Sequence, residues 1–119
     1  MMTRHSILGN VYITPGVHHF ASQHLCWWLV DAIASHTLVD AVQNESISFW
    51  SMFRDKNGSS ATLLGSDGGK GDDPPVTLVR QTFLWVDLTD EELPAKFFMQ
   101  RSEDDTGRIT FTIMLPEEY

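Results

Sequence analysis

The chain has 119 residues, and its 8 Lys+Arg against 16 Asp+Glu give a formal net charge of −8. The length allows one domain, and 42% apolar residues with 4 Trp, 7 Phe and 2 Tyr exclude a disordered acidic tail, which lacks core-forming residues. The charge argues against a sequence-independent grip on nucleic acid or an anionic membrane, because both need a basic surface.

Gly9 to Ile13 reads as a short strand or an extended lead-in. Thr14-Pro15-Gly16 then supplies a helix start, with Thr14 able to cap and Pro15 suited to the first helical position. The spacing predicts a main helix from Pro15 to Thr37. Leu25, Trp28, Leu29, Ala32 and Ile33 follow the i, i+3, i+4, i+7, i+8 pattern, and His36 extends it. Phe20, Trp27, Val30 and Ala34 form a second stripe beside the first. A surface that wide predicts a central helix buried on more than one side, or one side covered by a second subunit. His36 near the C-terminal end suits the helix dipole. Leu38 to Gln43 adds a turn or a short second helix.

From Ser46 the period changes. Ser46–Arg54 and Ser59–Leu64 flank Asp55-Lys56-Asn57-Gly58, whose Asn-Gly pair predicts a β-hairpin. Gly65 to Pro75 is rich in glycine and proline and reads as a mobile, solvated loop. Val76–Leu88 reads as a long strand, and Asp90-Glu91-Glu92-Leu93 as one helical turn before Pro94. Lys96–Arg101 and Arg108–Leu115 are two further strands, joined by Ser102–Gly107. In the last strand Ile109, Phe111, Ile113 and Leu115 share one side, with Thr110 and Thr112 on the other. The expected fold is a single α+β domain over 1–119. One long N-terminal helix packs on one face of a four- to five-stranded antiparallel sheet.

Cys26 is the only cysteine, so no intrachain disulfide forms. Small secreted domains usually need such staples, so a cytoplasmic location is expected. The N-terminus lacks the apolar stretch of a signal peptide. The longest apolar run, Leu25 to Val30, falls far short of the roughly 20 residues that cross a bilayer.

The chemistry-bearing residues form no recognisable constellation. His18, His19, His24 and Cys26 cluster in sequence, but no pair has the i, i+3 or i, i+4 spacing that puts metal ligands on one helix face. No metal or other cofactor is expected. Cys26 lies in the most apolar hexapeptide, where a thiol is inert packing. Gly69-Lys70 fails as a phosphate loop, because Leu64 stands where the first glycine belongs and Gly71 where Ser or Thr belongs. Asp67, Asp72 and Asp73 lack the ligand spacing of a calcium loop. The acidic clusters Asp90–Glu92, Glu103–Asp105 and Glu117-Glu118 read as solvated turns or as a field that steers a basic protein partner.

The aromatics exceed what one core needs. Trp27 and Trp28 diverge by about 100° on a helix. Trp50 and Trp85 lie on strands beside Phe49 and Leu84, so both sheet faces carry bulk. The surplus covers a second core under the loops or marks an interface, most simply of a homodimer.

Three stretches carry a family resemblance. They are Tyr12-x-Thr14-Pro15-Gly16-Val17, the helix segment Trp28-Leu29-Val30-Asp31-Ala32-Ile33-Ala34-Ser35-His36, and the tail Leu115-Pro116-Glu117-Glu118-Tyr119. Together they resemble a family of small uncharacterised bacterial proteins, the domain of unknown function DUF6876. Gln81 to Asp87 is also similar to a strand of that family, although Val86 and Leu88 depart from its pattern and no proline follows. The resemblance implies a one-domain α+β protein and brings no activity or catalytic residue with it.

Asp31 stands between Val30 and Ala32, where a charge is costly unless exposed or paired. Asp31, Ser35, His36 and His24 are therefore the candidate polar cluster. Ser35 and His36 are neighbours that diverge on a helix, and no nucleophile elbow is present, so no catalytic residue is assigned. The preferred function is a non-enzymatic cytoplasmic interaction or regulatory protein, homodimeric, with an acidic face. The alternative is a small enzyme or ligand-binding protein. It would use a helix–sheet pocket lined by Trp28, Trp50 and Trp85 with His24 or His36; Trp27 and these tryptophans are equally the candidate interface. The first 66 residues hold four acidic and three basic residues, and the remainder twelve and five, so the charge belongs to the sheet-forming half.

Overall fold

The structure is a computed structural model that describes the backbone of residues 3–5 and residues 10–56, 60–84, 86, 88 and 93–119. The helical layer begins where the sequence predicts. Thr14 is extended, its Oγ1 accepts the Val17 N–H at 3.4 Å, and Pro15 opens helix α1 (Pro15–Gln23). The helix then stops. Leu25 takes a left-handed φ of 52°. The Cys26 N–H reaches back to the Ala21 carbonyl at 3.0 Å, the six-to-one bond of a Schellman ending. The chain restarts as α2 (Trp27–Ser35), then a 3-10 turn (His36–Leu38) and the short α3 (Asp40–Gln43).

The expected long helix over Pro15–Thr37 is thus corrected to two nine-residue helices. On a straight helix His18 and Trp27 would lie about 13 Å apart along the axis. Instead their rings meet edge-on at 5.2 Å, because the chain folds back at Leu25. The apolar period misleads here because it runs in phase across the break, and the left-handed position holds Leu rather than the usual Gly. Leu25 itself is 83% exposed and does not lead the core stripe.

The sheet is also larger than expected. Its strands are β1 (Thr3–His5), β2 (Val11–Ile13), β3 (Ile47–Arg54), β4 (Ala61–Ser66), β5 (Thr77–Phe83), β6 (Ala95–Glu103) and β7 (Ile109–Met114). Their order is β1-β2-β7-β6-β3-β4-β5. Every neighbouring pair is antiparallel except β2 and β7, which run parallel with Val11 opposite Phe111 and Ile13 opposite Ile113. The four- to five-stranded antiparallel sheet is therefore corrected to seven strands in a mixed sheet. The parallel pair joins the two ends of the chain, and no turn between them marks it in the sequence. The long strand read over Val76–Leu88 stops at Phe83. The Asn57-Gly58 turn and the Asp90-Glu91-Glu92 turn lie outside the described residues.

The core fills one face of the sheet. Trp50 and Met52 of β3, Leu63 of β4, Phe97 and Met99 of β6 and Ile113 of β7 pack under Val17, Leu29, Val30 and Ile33. Trp50 is its centre. Its indole N–H donates to Ser48 Oγ at 2.7 Å, and the His36 ring lies nearly parallel to it, 13° off with centroids 5.7 Å apart. Burying an indole this fully contributes about 4–6 kcal/mol of transfer free energy. Gly65 lies opposite Trp50 in the ladder, and a Cβ added there would come within 2.7 Å of the indole. Among the described residues no helix is long and apolar enough to cross a membrane.

Candidate functional site

The strands alternate, so the residues between the core positions face away from the helices. Phe49 and Phe53 of β3, Leu64 of β4, Phe98 of β6 and Tyr12 of β2 lie half-buried on that second face. Adjacent aromatics on one strand (Phe49-Trp50, Phe97-Phe98) thereby serve opposite faces. Among the described strand residues on this open face none is Asp or Glu, although the chain holds 16 such residues. Two cations on this face, Lys96 and Arg80, are exposed, and neither is in an ion pair among the described residues. The register aligns them across the sheet: Lys96 opposite Ser51, Ser51 opposite Leu64, Leu64 opposite Arg80.

Two segments reach this face. On one side Tyr119 meets Phe98 edge-on at 5.5 Å, and Phe98 meets Phe49 at 4.9 Å. On the other, the β4–β5 loop passes over Phe49 at Gly68. A Cβ there would sit 2.2 Å from the Phe49 ring, and the φ of 74° also favours glycine. The Gly65–Pro75 stretch, read as a mobile loop, is tied at its base. Asp67 Oδ1 accepts the N–H groups of Gly69 at 2.9 Å and Val76 at 2.8 Å, and Lys70 pairs with Glu45 at 3.1 Å. The Val76 and Gly69 hydrogen bonds hold the Asp67 carboxyl below its ordinary pKa. The groove beside Gly68 has a volume of about 310 Å³, and its lining includes Phe49, Phe98, Leu64, Ser51, Ser66 and Lys96.

The C-terminal tail owes its position to Glu118. Thr14 Oγ1 donates to Glu118 Oε1 at 2.6 Å, the Leu115 N–H donates to the same oxygen at 3.0 Å, and the Gly16 N–H donates to Oε2 at 3.1 Å. Burial pushes this carboxyl up, but the hydrogen bonds from Thr14, Leu115 and Gly16 outweigh it and hold the pKa below its ordinary value. The carboxylate completes the N-terminal cap of α1. Asp104 has a similar local duty: Thr106 Oγ1, with the Arg108 and Thr106 N–H groups, holds its carboxyl down in the β6–β7 turn.

A third surface is the free edge of the sheet. β5 ends the strand order, and among the described residues no strand pairs with its outer side. It carries one charge, Arg80, and is flanked by the exposed Val76 and Leu84.

The residues singled out in the sequence are dispersed. Ser35 is exposed and donates to the Ala32 carbonyl of its own helix at 2.7 Å, whereas His36 turns to the sheet, its Nε2 2.7 Å from Gln81 Oε1. His24 ends α1 beside Phe20, with ring centroids 4.7 Å apart, and Asp31 lies half-buried on α2. Trp27 lies against His18, Trp28 against Phe83 at 5.2 Å, and Trp50 in the core. Trp85 lies outside the described residues. Of the tryptophans named for a helix–sheet pocket, Trp50 stacks on His36 and lies against Gly65. Cys26 is buried and forms no disulfide. Among the described residues no group of three His, Cys, Asp or Glu converges as a metal site would require. Sequence reasoning missed the Phe49–Phe98 groove with Lys96; the paired aromatics on β3 and β6 were its signal.

A family model described as a family of unknown function (DUF6876) matches residues 1–119, the whole chain. No curated protein and no solved structure matches it.

Proposed function

Because the chain belongs to the DUF6876 family, whose function is unknown, we propose its role from its own surfaces: a non-enzymatic, cytoplasmic interaction protein that works as a homodimer joined along β5. The observation that carries this reading is the unpaired edge of a seven-residue strand with a single charge. Edge strands of monomers are usually shortened, bulged, covered or studded with charge, because a bare one pairs with another chain; β5 has one such feature, a bulge at Leu78, and is regular from Val79 to Phe83. A second copy is the simplest occupant, since a two-fold axis lets one surface serve both sides.

The sequence of β5 suits such pairing. An antiparallel ladder centred on Gln81 sets Val79 opposite Phe83 and Arg80 opposite Thr82, so the two arginines avoid each other. Leu84, 73% exposed, then lies beside Leu78 of the second copy. Pairs of this kind each contribute about 0.2–1 kcal/mol. The two sheets become one, with both helical layers on the same side. Against an enzyme stands the use made of the carboxyls with lowered pKa. Asp67, Asp104 and Glu118 each accept hydrogen bonds from backbone that they hold in place.

Solution mass by light scattering tests the reading. A dimer of the 13.5 kDa chain is expected. Thr82 is exposed but its hydroxyl lies 3.3 Å from Thr62 Oγ1, so the fold of each variant is checked by circular dichroism. Thr82→Arg faces Arg80 of the second copy and shifts the mass to the monomer. Thr82→Glu preserves the dimer. A strict monomer at high concentration, or a dimer indifferent to both substitutions, overturns it.

A further inference from the structure

We infer that the groove between Phe49 and Phe98 binds a small apolar carboxylate, its acid group on Lys96 and its flat body against the two phenyl rings. This goes beyond the dimer, which uses a different surface. The rings stand edge-to-face at 4.9 Å and leave a half-open slot between Gly68 and Lys96. At about 310 Å³ the slot is at the lower end of small-ligand pockets and takes no folded partner.

Charge decides the class of ligand. The chain carries twice as many acidic as basic residues. Yet Lys96 has no anionic partner among the described residues, and no Asp or Glu among them shares its strand face. An unneutralised ammonium beside an apolar slot attracts an anion. Ser51, directly opposite Lys96 in the ladder, adds a hydroxyl donor on the same side of the slot. Ser66 adds a second, because its oxygen accepts the Gly68 N–H at 3.3 Å and its own O–H is left to donate. One cation and two hydroxyls match a singly charged carboxylate. A phosphate would call for more than one cation or a row of backbone N–H groups. The aromatic floor, with the tail ring of Tyr119 against Phe98, favours an aromatic or branched aliphatic body.

The test compares 2-naphthoate with its neutral isostere 2-naphthamide, titrated into the full chain and followed by amide NMR shifts and calorimetry. Naphthoate is expected to bind about fivefold tighter, the value of one partly exposed charge contact. The shifts should centre on Phe49, Ser51 and Phe98. Lys96→Met is expected to erase the difference between the two ligands. Phe98→Ser should weaken both ligands, and the folded state of each variant is read from the same spectra. Equal affinity for the two ligands, a preference that survives Lys96→Met, shifts centred elsewhere, or no binding at millimolar concentration would each overturn the inference. None of these outcomes changes the solution mass, so the dimer stands or falls separately.

Discussion

Thr14 and Glu118 are 104 positions apart in the chain, yet the Thr14 hydroxyl donates to the Glu118 carboxylate at 2.6 Å. The same carboxylate takes the Gly16 N–H at 3.1 Å. Two of the stretches that carry the family resemblance, Thr14-Pro15-Gly16 and Leu115–Tyr119, are therefore halves of one structural device. Thr14 both caps α1 and holds the residue that completes the cap.

Gly16 is consequently a position where alanine destabilises, although alanine is ordinarily the better helix former. Its Cβ would come within 2.5 Å of Glu118 Oε1. Gly16→Ala and Glu118→Gln are each expected to cost about 1 kcal/mol, the value of an N-cap. In urea denaturation the double variant should lose markedly less than the sum, because both substitutions break the same contact. Strict additivity would show that the contact contributes nothing.

The acid limb of stability follows from the same carboxylate. Glu118, Asp67 and Asp104 are all held below their ordinary values of 4.5, 3.8 and 3.8. Lowered folded-state values give stability that is fully present above the ordinary values. It is lost as pH falls through the folded ones. Midpoint urea concentrations should therefore show no contribution from these groups between pH 7 and 5, then fall below about pH 4.5. Glu118→Gln should flatten part of that fall.

Leu25 pays a conformational cost without a packing return. Its φ is 52°, and it is 83% exposed. Leu25→Gly relieves the left-handed strain at the Schellman position and is expected to raise stability by about 0.5–1 kcal/mol, net of the extra freedom of glycine in the unfolded chain. A thermal melt checks the sign.

Gly65 has the opposite character. Its Cβ would meet the six-membered ring of Trp50 at 2.7–2.8 Å, inside a closed core. Gly65→Ala should cost about 1–3 kcal/mol by overpacking. Trp50→Phe should recover part of that loss in the double variant, because the smaller ring vacates the contact.

What the sequence disclosed follows the range of each interaction. The strand cores and the helix start rest on local signals, alternation and the Thr-Pro-Gly cap, and they stand within a few residues of where they were expected. The break at Leu25 was hidden because the left-handed position carries no glycine, so the apolar period ran straight through it. The parallel pairing of β2 with β7 joins the chain's ends and leaves no turn signature. The tryptophans drew attention to the helix-covered face. Trp50 is committed to the core, whereas the groove is made by Phe49 and Phe98. These residues lie on separate strands, and only the β3–β6 register brings them side by side. Lys96 was unremarkable as one of 8 basic residues until that register set it beside the rings.

The parallel pairing of β2 with β7 also governs when the molecule can form. Val11 and Ile13 find their ladder partners only in Phe111 and Ile113, and the α1 cap closes only when Glu118 arrives. At about 5–20 residues per second, roughly 5–20 s of synthesis separate these segments. During that interval Val11, Ile13 and Val17, all buried in the finished fold, lack their cover. Val11 and Ile13 therefore stay without their ladder partners until Phe111 and Ile113 have been made.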